Sequence, residues 1–222
     1  MAERLRLYGY WRSSASYRVR IALNLKGLTC EQVPVHLVRD GGEQHRPAFL
    51  RLNPQGLVPV LQHGERIVRQ SLAIIEYLDE LHPKPPMLPT TARDRARVRA
   101  LALLVACDVH PLCNLRVMQY LENELGVDAR ARRAWMLHWM QEGLASMEAQ
   151  VHDNPSTGDF CEGDLPGLAD CCLVPQLYNA RRYELDLDPY PTLRRIEANC
   201  NALPAFDLAR PERQPDAPSD LA

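Results

Sequence analysis

The sequence lacks an excess of charge of one sign. It contains 26 lysine and arginine residues against 28 aspartate and glutamate residues, which gives a formal net charge of -2 at pH 7. Surfaces that bind nucleic acid or anionic membranes carry a basic excess, so this balance gives no reason to expect either partner. We expect the main partner to be a small molecule.

Long apolar segments and a disulfide pattern are also lacking. The first residues, MAERLRLYGYW, contain no apolar segment of a signal peptide, and no run approaches the roughly 18 apolar residues of a membrane span. The seven cysteines are scattered and odd in number, which fits reduced thiols better than a disulfide framework. These features predict a cytoplasmic protein that does not enter a membrane.

The first third of the chain alternates strand-like and helix-like segments. The pattern predicts a strand over 5–10, a helix over 16–26, a strand over 30–37, a short helix, a hairpin that turns at 63–65, and a helix that Ser71 caps. The order β-α-β-α-β-β-α is typical of a sheet covered by helices. We therefore predict an α/β domain over residues 1–82.

A proline-rich segment separates this domain from the rest. The stretch HPKPPMLP cannot continue a helix and predicts a stiff linker over 83–90. Strand signals then disappear, and helical patterns cover roughly 91–125, 129–151, 167–183 and 191–202. This predicts an all-helical domain over 91–222, whose last residues, rich in proline and charge, lie on the surface or are poorly ordered.

Three serines stand between the first strand and the first helix. Ser13, Ser14 and Ser16 occupy a turn where free backbone N–H groups and the positive end of the helix dipole meet. Such a turn binds anions and would favour the thiolate form of a bound thiol. For the hydroxyls alone, however, a plain helix cap is the better interpretation.

Two further features point to the same kind of site. Proline cannot donate to a sheet ladder, so Val58-Pro59 before a strand indicates an edge, a bulge or a cis bond. Gln70 and Ser71 add amide and hydroxyl groups at the next helix start. The combination is more informative than any single feature.

Long stretches of the chain resemble one known family. The segments are RSSASYRVRIALNLKG, NPQGLVPVL, QSLAIIEYLDE, GDLPGLADCCLVPQLYNARRY and DPYP, and they look like the zeta class of the glutathione transferases. Members of that class include maleylacetoacetate and maleylpyruvate isomerases. The resemblance implies a thioredoxin-like N-terminal domain, an all-helical C-terminal domain, glutathione as cofactor and a homodimer.

The resemblance also implies site residues. Ser13 and Ser14 would face the glutathione sulfur. The residues that would hold the tripeptide from the first domain are Gln44, Val58, Gln70 and Ser71, with Val58 acting through its backbone beside a cis-Pro59. The residues that would reach glutathione from the helical domain are His110, Asn114 and Arg116, although many relatives have glutamine at the position of His110.

One departure from the family pattern narrows the chemistry. Zeta members commonly read Ser-Ser-Cys, and related reductive dehalogenases use that cysteine, whereas this chain has Ala15. Isomerisation needs only the glutathione thiolate, which adds to the cis double bond and leaves after rotation. The implied substrate is a small dianionic diketo acid, for which Arg12 and Arg182 are the candidate cations, with Arg181 expected to be solvated. The alternative interpretation is that Arg12 and Arg182 are ordinary surface arginines.

The leading functional hypothesis is a glutathione-dependent isomerase of maleylacetoacetate in tyrosine and phenylalanine breakdown. Maleylpyruvate isomerisation in the gentisate route, glutathione conjugation and a non-catalytic binding role stay open as alternatives. No metal site is expected, because Cys107, His110 and Cys113 lack an evident fourth ligand. Asp170 in GDLPGLAD is expected to bond back to the start of its own helix, where Gly167 replaces the usual hydroxyl residue.

Overall fold

The chain folds into two compact units. A computed structural model describes residues 4–219. The first unit contains residues up to Met87 together with the segment that begins at Ala202, and the second contains Leu88–Asn201. Each unit is described below by itself.

The first unit follows the predicted order of strands and helices. Its elements up to Met87 are β1 (Leu5–Gly9), α1 (Ser14–Leu25), β2 (Glu31–Pro34), α2 (Pro47–Leu52), β3 (Val60–His63), β4 (Arg66–Arg69) and α3 (Ser71–Leu81). The four strands form one sheet in the order β2-β1-β3-β4, in which β1 and β2 are parallel and the other pairs are antiparallel. This is the thioredoxin-like arrangement of the N-terminal domain. The predicted hairpin is present, with its turn at residues 64–65, because His63 is still part of β3 and pairs with Arg66.

The register of the strands gathers several loops at one edge of the sheet. Gly9 pairs with Pro34, Tyr8 pairs with Val60, and Val60 pairs with Arg69. Consequently the segments that follow β1, β2 and β4 leave the sheet at the edge where the chain enters β3. The serine turn, the Val58-Pro59 bond and the start of α3 lie at this edge.

A buried lysine just after α1 connects this helix to α3 and to the segment that follows α3. The Lys26 side chain is 0% exposed and donates from Nζ to Asp79 Oδ1 at 2.8 Å, to the His82 carbonyl at 2.6 Å and to the Pro85 carbonyl at 2.8 Å. Gly27 follows with a φ of 62°, so the helix ends where the sequence predicted. The charge is thus fully hydrogen-bonded, as a buried ammonium group requires.

The second unit is all helical across Leu88–Asn201. Its α-helices are α4 (Ala92–Leu103), α5 (Leu115–Asn123), α6 (Ala129–Val151), α7 (Leu168–Arg182) and α8 (Pro191–Asn201). A π-helical segment over Leu104–Val109 and a 3-10 segment over His110–Cys113 connect α4 to α5. The predicted helices over 129–151, 167–183 and 191–202 therefore agree with the structure, whereas the predicted helix over 91–125 is broken before Asn114.

The start of α7 contains the predicted capping interaction. Asp170 is 1% exposed and accepts from the backbone N–H of Gly167 at 2.8 Å and of Cys161 at 2.9 Å. Burial raises the pKa of the Asp170 carboxyl, and these hydrogen bonds partly offset that effect. Gly167 has no side chain to return a bond, so only one half of a reciprocal capping box is present.

One helical stretch is more apolar than the sequence analysis expected. The segment Ala92–Asn123 contains an 18-residue window with a mean hydropathy of 1.4, of which 28% is buried, and it passes a length and composition test for a membrane span. Buried core helices pass the same test. The window average tolerates charged residues, and Asp108 and Arg116 interrupt this stretch, so it is not the uninterrupted apolar run that the sequence analysis considered.

The C-terminal segment packs on the first unit. A short helix α9 (Pro204–Asp207) contacts α1, with Phe206 at 0% and Ala209 at 1% exposure, and Asn24 Nδ2 donates to the Ala205 carbonyl at 2.9 Å. The structure thus differs from the prediction that 91–222 forms one helical domain. Proline and charge suggested an exposed tail, but Phe206 and Ala209 supply an apolar face that α1 covers.

Candidate active site

The serine turn is a tight turn that leads directly into α1. The Ser13 N–H donates to the Tyr10 carbonyl at 3.0 Å, and the Ser13 hydroxyl caps the helix by accepting from the Ser16 N–H at 3.2 Å. Ser14 is the first helical residue and is half-buried. Ser16 is 0% exposed, so its grouping with the site serines was wrong: it lies inside the helix and faces the core.

The start of α1 is electrostatically suited to an anion. The helix has 12 residues and no acidic residue in its first turn, so no side chain of that turn offsets the positive end of its dipole. Arg12 is exposed, and its guanidinium lies over the Trp11 ring at 5.4 Å. A thiol held at this turn would be shifted toward thiolate.

The loop before β3 contains a cis bond, which is one of the three possibilities that the Val58-Pro59 pattern left open and the one that the family resemblance implied. The Val58-Pro59 peptide is cis. Asn53, which is 2% exposed, orders this loop because its Nδ2 donates to the Leu57 carbonyl at 2.7 Å and its Oδ1 accepts from the Gln55 N–H at 3.2 Å. The Val58 backbone is therefore presented by a loop with fixed hydrogen bonds.

Gln70 and Ser71 form the start of α3, but in different positions from those predicted. Gln70 is the N-cap residue and adopts a left-handed φ of 71°, while Ser71, at 6% exposure, is the first helical residue. The prediction that Ser71 caps the helix was therefore wrong. Its Oγ instead accepts from Nη1 of the buried Arg18 at 3.2 Å, which places a guanidinium beneath this helix start.

Gln44 supplies a buried and partly unsatisfied amide. The residue is 5% exposed, and its Nε2 donates to the Leu37 carbonyl at 3.1 Å. Its Oε1 is buried without a hydrogen-bond partner among the residues that the structure describes. Gly42 makes room for this amide, because a Cβ at that position would lie 2.3 Å from Gln44 Nε2.

In the helical unit, His110 and Asn114 contact each other. Asn114 Nδ2 and His110 Nε2 are 3.3 Å apart, and Asn114 caps α5 by accepting from the Arg116 N–H at 3.2 Å. His110 and Asn114 are half-buried, whereas Arg116 is exposed. The three predicted residues therefore lie around one helix start.

The neighbouring arginines at the end of α7 differ in their contacts. Arg182 is exposed, lies over the Tyr183 ring at 4.7 Å and donates to the Tyr183 hydroxyl at 2.5 Å. Arg181 forms a two-pronged ion pair with Glu197, whose side chain is 5% exposed. Arg181 is exposed, as expected, but it also has this ion-pair partner. The carboxylate holds the pKa of the Arg181 guanidinium above its usual value.

No group of three or more histidine, cysteine, aspartate and glutamate side chains in residues 4–219 could hold a metal ion. In the C-x-x-H-x-x-C stretch, Cys107 is exposed while Cys113 is buried.

Comparison with known proteins identifies the family of this chain. A family model for the glutathione S-transferase N-terminal domain matches residues 7–86. A probable maleylacetoacetate isomerase of Vibrio cholerae is 53% identical over 211 residues, which are 95% of this chain and 97% of the relative. The chain belongs to the zeta class of the glutathione transferases.

Solved structures of zeta-class relatives have the same fold. The holo structure of a maleyl pyruvate isomerase, described as a bacterial zeta-class glutathione S-transferase, superposes with a TM-score of 0.93 at 47% identity, covering 96% of this chain and 100% of that one. A maleylacetoacetate isomerase from Methylobacterium extorquens, with malonate and GSH bound, gives 0.92 at 43% identity with 96% and 100% coverage.

Two residues that support the candidate site were missed by sequence reasoning. Arg18 contacts Ser71, and Asn53 orders the loop before Val58. Arg18 lies on the apolar side of α1, where a charged residue is rarely buried without a partner, so its position in the helical pattern was an available signal. Asn53, in the segment NPQG, carried only the ordinary signal of a turn.

Proposed function

We propose that this protein is a glutathione-dependent cis–trans isomerase that converts maleylacetoacetate to fumarylacetoacetate in tyrosine and phenylalanine breakdown. The observation that carries the proposal is the serine turn, with free N–H groups and two serine hydroxyls at the start of α1. Relatives with this activity in their names support it across nearly the whole chain.

The residues at the sheet edge fit glutathione. The start of α3 offers backbone N–H groups, the Ser71 hydroxyl and the Gln70 amide to a carboxylate, with the Arg18 guanidinium beneath. The unsatisfied Oε1 of Gln44 can accept from an ammonium or amide group. Together with the Val58 backbone, these groups supply both donors and acceptors, as a peptide with charged ends requires.

The chemistry of the reaction is divided between cofactor and chain. When bound, glutathione supplies a thiolate that adds to the cis double bond and is eliminated after rotation about the resulting single bond. Ser13 and Ser14 hold the sulfur as thiolate by hydroxyl donation at the positive end of α1. His110, Asn114 and Arg116 add polar groups for glutathione from the helical unit.

The substrate is a dianion, so its binding requires cations. Arg12 and Arg182 are exposed guanidinium groups that lie on aromatic rings, an arrangement that limits their freedom while leaving N–H groups available. We assign them to the substrate carboxylates and to the enolate that forms on addition. Malonate in a related structure is consistent with a site for small dicarboxylates.

Ala15 argues against reductive dehalogenation. It is a helical residue one position after Ser14, and Cys30, the one cysteine of the first unit, lies at the opposite edge of the sheet, just before β2. Burial raises the pKa of the Cys30 thiol to about 12. A cysteine poised to form a mixed disulfide with glutathione is thus absent from the serine turn.

A homodimer and a cytoplasmic location complete the proposal. Leu103 at the end of α4 is 43% exposed, and the apolar window of Ala92–Asn123 is only 28% buried, which suits a surface that a second copy covers. The seven free cysteines suit a reducing compartment. Sedimentation analysis tests the assembly: we expect twice the mass of the 25.2 kDa chain, and a monomer at micromolar concentration would overturn it.

Maleylpyruvate isomerisation is the second candidate function, because one zeta-class relative with a TM-score of 0.93 is named for it. The deciding experiment measures isomerisation of maleylacetoacetate and of maleylpyruvate by the purified protein, with and without glutathione. The concentration of free thiol is followed in parallel. We expect turnover of maleylacetoacetate that requires glutathione and leaves the thiol concentration constant.

The other outcomes separate the alternatives. A higher kcat/KM for maleylpyruvate would transfer the assignment to that substrate. Loss of free thiol during turnover would indicate conjugation. Glutathione binding without turnover of either substrate would indicate a binding role and overturn the isomerase.

A further inference from the structure

The C-terminal segment reaches the turn that precedes the catalytic serines. The Trp11 N–H donates to Asp216 Oδ2 at 2.9 Å, although the two residues are separated by 205 positions in the chain. Trp11 is the first central residue of the turn that the Ser13 N–H closes on the Tyr10 carbonyl. A carboxylate from the end of the described chain thus binds the backbone just before Arg12, Ser13 and Ser14.

Arg20 makes a second connection between the same two segments. It is 5% exposed, and its Nε donates to the Ala209 carbonyl at 3.0 Å while its Nη2 donates to the Trp11 carbonyl at 2.9 Å. Its Nη1 also reaches the Tyr10 carbonyl at 3.4 Å. Both backbone polar groups of Trp11 are therefore hydrogen-bonded. Its N–H donates to Asp216, and its carbonyl accepts from the Arg20 guanidinium, which also binds the C-terminal segment.

The C-terminal segment is itself well anchored. Phe206 is fully buried, and Gln214 Nε2 donates to the carbonyls of Leu208 at 3.1 Å and of Arg210 at 2.7 Å. The Ala217 N–H donates to the Gln214 carbonyl at 3.0 Å. These bonds fix the backbone on both sides of Asp216.

We propose that Asp216 and Arg20 are positioning residues for the serine turn, and that the segment Ala202–Ser219 holds this turn in the geometry that binds the thiolate. A hydrogen bond with one charged partner is stronger than one between neutral groups. Since the central residues of the turn are Trp11 and Arg12, movement of Trp11 moves both the substrate arginine and the serine cap. The proposal rests on the proposed function for the role of the serines, but the hydrogen bonds to the turn stand without it.

The test compares two substitutions at Asp216 with a matched control. Asp216→Ala removes the acceptor, whereas Asp216→Asn keeps a neutral acceptor and should rescue part of the effect. The control is Asp207→Asn, in the same segment, because Asp207 pairs with Arg213 at 2.8 Å and Arg210 at 3.7 Å and does not contact the turn. All variants are made in the full chain.

The first measurement is amide hydrogen exchange over residues 11–16 and, for comparison, over α3. We expect Asp216→Ala to increase exchange in the turn about tenfold, the effect of losing one hydrogen bond to a charged group. Exchange in α3 should stay within twofold, and Asp207→Asn should match the wild type in both regions. This measurement needs neither glutathione nor substrate, so it stays informative if the isomerase proposal fails.

The second measurement is the pH dependence of the thiolate absorbance of bound glutathione. Asp216→Asn and Asp216→Ala both remove a negative charge near the thiol, which favours the thiolate, so the two variants are compared with each other: the apparent pKa of the bound thiol should be higher in Asp216→Ala than in Asp216→Asn, because only Asn keeps the acceptor. Asp216→Ala should also lower kcat about tenfold, while KM for glutathione changes less than threefold because the start of α3 is intact. Unchanged exchange in the turn, or equal effects of Asp216→Ala and Asp207→Asn, would overturn the proposal. A loss of activity that only follows global unfolding would do the same.

Discussion

The two parts of the proposed glutathione site are held in different ways. In the first unit, Ser71, Gln44 and the Val58 loop are positioned by buried or partly buried hydrogen bonds, two of them to backbone carbonyls. In the helical unit, Arg116 and Arg182 are exposed, while His110 and Asn114 are half-buried and contact each other. The first unit therefore holds its candidate side chains through hydrogen bonds, whereas the helical unit exposes two of its four.

The largest effect is expected where the scaffold of the first unit is broken. Lys26→Met removes the ammonium partner of the Asp79 carboxylate, whose side chain is only 14% exposed. Asp79 keeps its hydrogen bond from the Met87 N–H at 2.9 Å, but that bond does not replace the lost charge. We expect the free energy of unfolding to fall by about 3–5 kcal/mol. Denaturant unfolding measures it.

The chain offers a matched control for this change. Its second lysine, Lys84, is exposed, so Lys84→Met should alter stability by less than about 0.5 kcal/mol. Equal effects of the two substitutions would show that the buried contacts of Lys26 contribute little.

The next effect separates the two serines. Ser13 Oγ is fixed by accepting from Ser16, which leaves its proton free for the thiolate, so Ser13→Ala should lower kcat/KM about 100-fold, the scale of losing one charge-stabilising donor. Ser14→Ala should cost less than about tenfold, since the second serine carries no such fixed geometry. Steady-state kinetics with the confirmed substrate measure both.

A third variant distinguishes the loss of the helix cap from the loss of the Ser13 hydroxyl donor. Ser13→Gly removes the hydroxyl at a cap cost of only a few tenths of a kcal/mol, compared with about 1 kcal/mol for alanine. The two variants should show the same loss of activity and different stabilities. A larger effect at Ser14 would reverse the assignment.

The helical unit is tested at the two adjacent arginines. Arg182→Met should raise KM for the dianionic substrate about tenfold and leave the melting temperature unchanged, because the side chain is exposed. Arg181→Met should leave KM unchanged and lower the melting temperature, since it leaves Glu197 buried without its partner. Because Arg181 is itself half-exposed, the stability cost should be about 1–2 kcal/mol, below that of a fully buried pair. Identical behaviour of the two variants would contradict the roles assigned here.

The smallest effect is a pH dependence at Asp170. Burial raises the pKa of this carboxyl in the folded chain, so the folded state binds the proton more tightly than the unfolded state, whose pKa is about 3.9. The free energy of unfolding therefore falls as the pH rises from about 4 through the folded pKa. The Asp170→Asn variant has no ionisable carboxyl at this position, so its stability lacks this pH dependence.

The measurement is urea unfolding of wild type and Asp170→Asn between about pH 4 and pH 8. The stability of the wild type relative to the variant should decrease as the pH rises. A difference that is constant or increases with pH would contradict the raised pKa.

Much of the architecture was predictable because it depends on local patterns. The strand and helix order and the Asp170 capping bond follow from residues a few positions apart, while the cis Val58-Pro59 bond was one of three possibilities until the family resemblance selected it. The contacts of Arg18 with Ser71 and of Trp11 with Asp216 join residues that are 53 and 205 positions apart. No short-range pattern contains that information, so the first was missed and the C-terminal segment was assigned to the wrong unit.

Local patterns also failed where a residue type has two common roles. Ser71 matched the preference for serine at an N-cap, yet the cap is Gln70 with a left-handed φ. Arg181 and Arg182 are adjacent and of the same residue type, so no local pattern indicated that Arg181 pairs with the buried Glu197. The positions of the candidate site could be predicted, but the contacts of each side chain depend on residues that are distant in the sequence.

The uneven burial of the cysteines makes the chain suitable for selective labelling. Cys107 is the exposed thiol, whereas burial raises the pKa of Cys113 to about 11 and of Cys30 to about 12, and Cys161, Cys171, Cys172 and Cys200 are 0% exposed. With alanine at position 15, a maleimide or iodoacetamide dye should attach at Cys107 and leave the serine turn unmodified. A fluorophore there would sit within the apolar window of Ala92–Asn123. Its labelling rate at increasing protein concentration would report whether a second copy covers that surface.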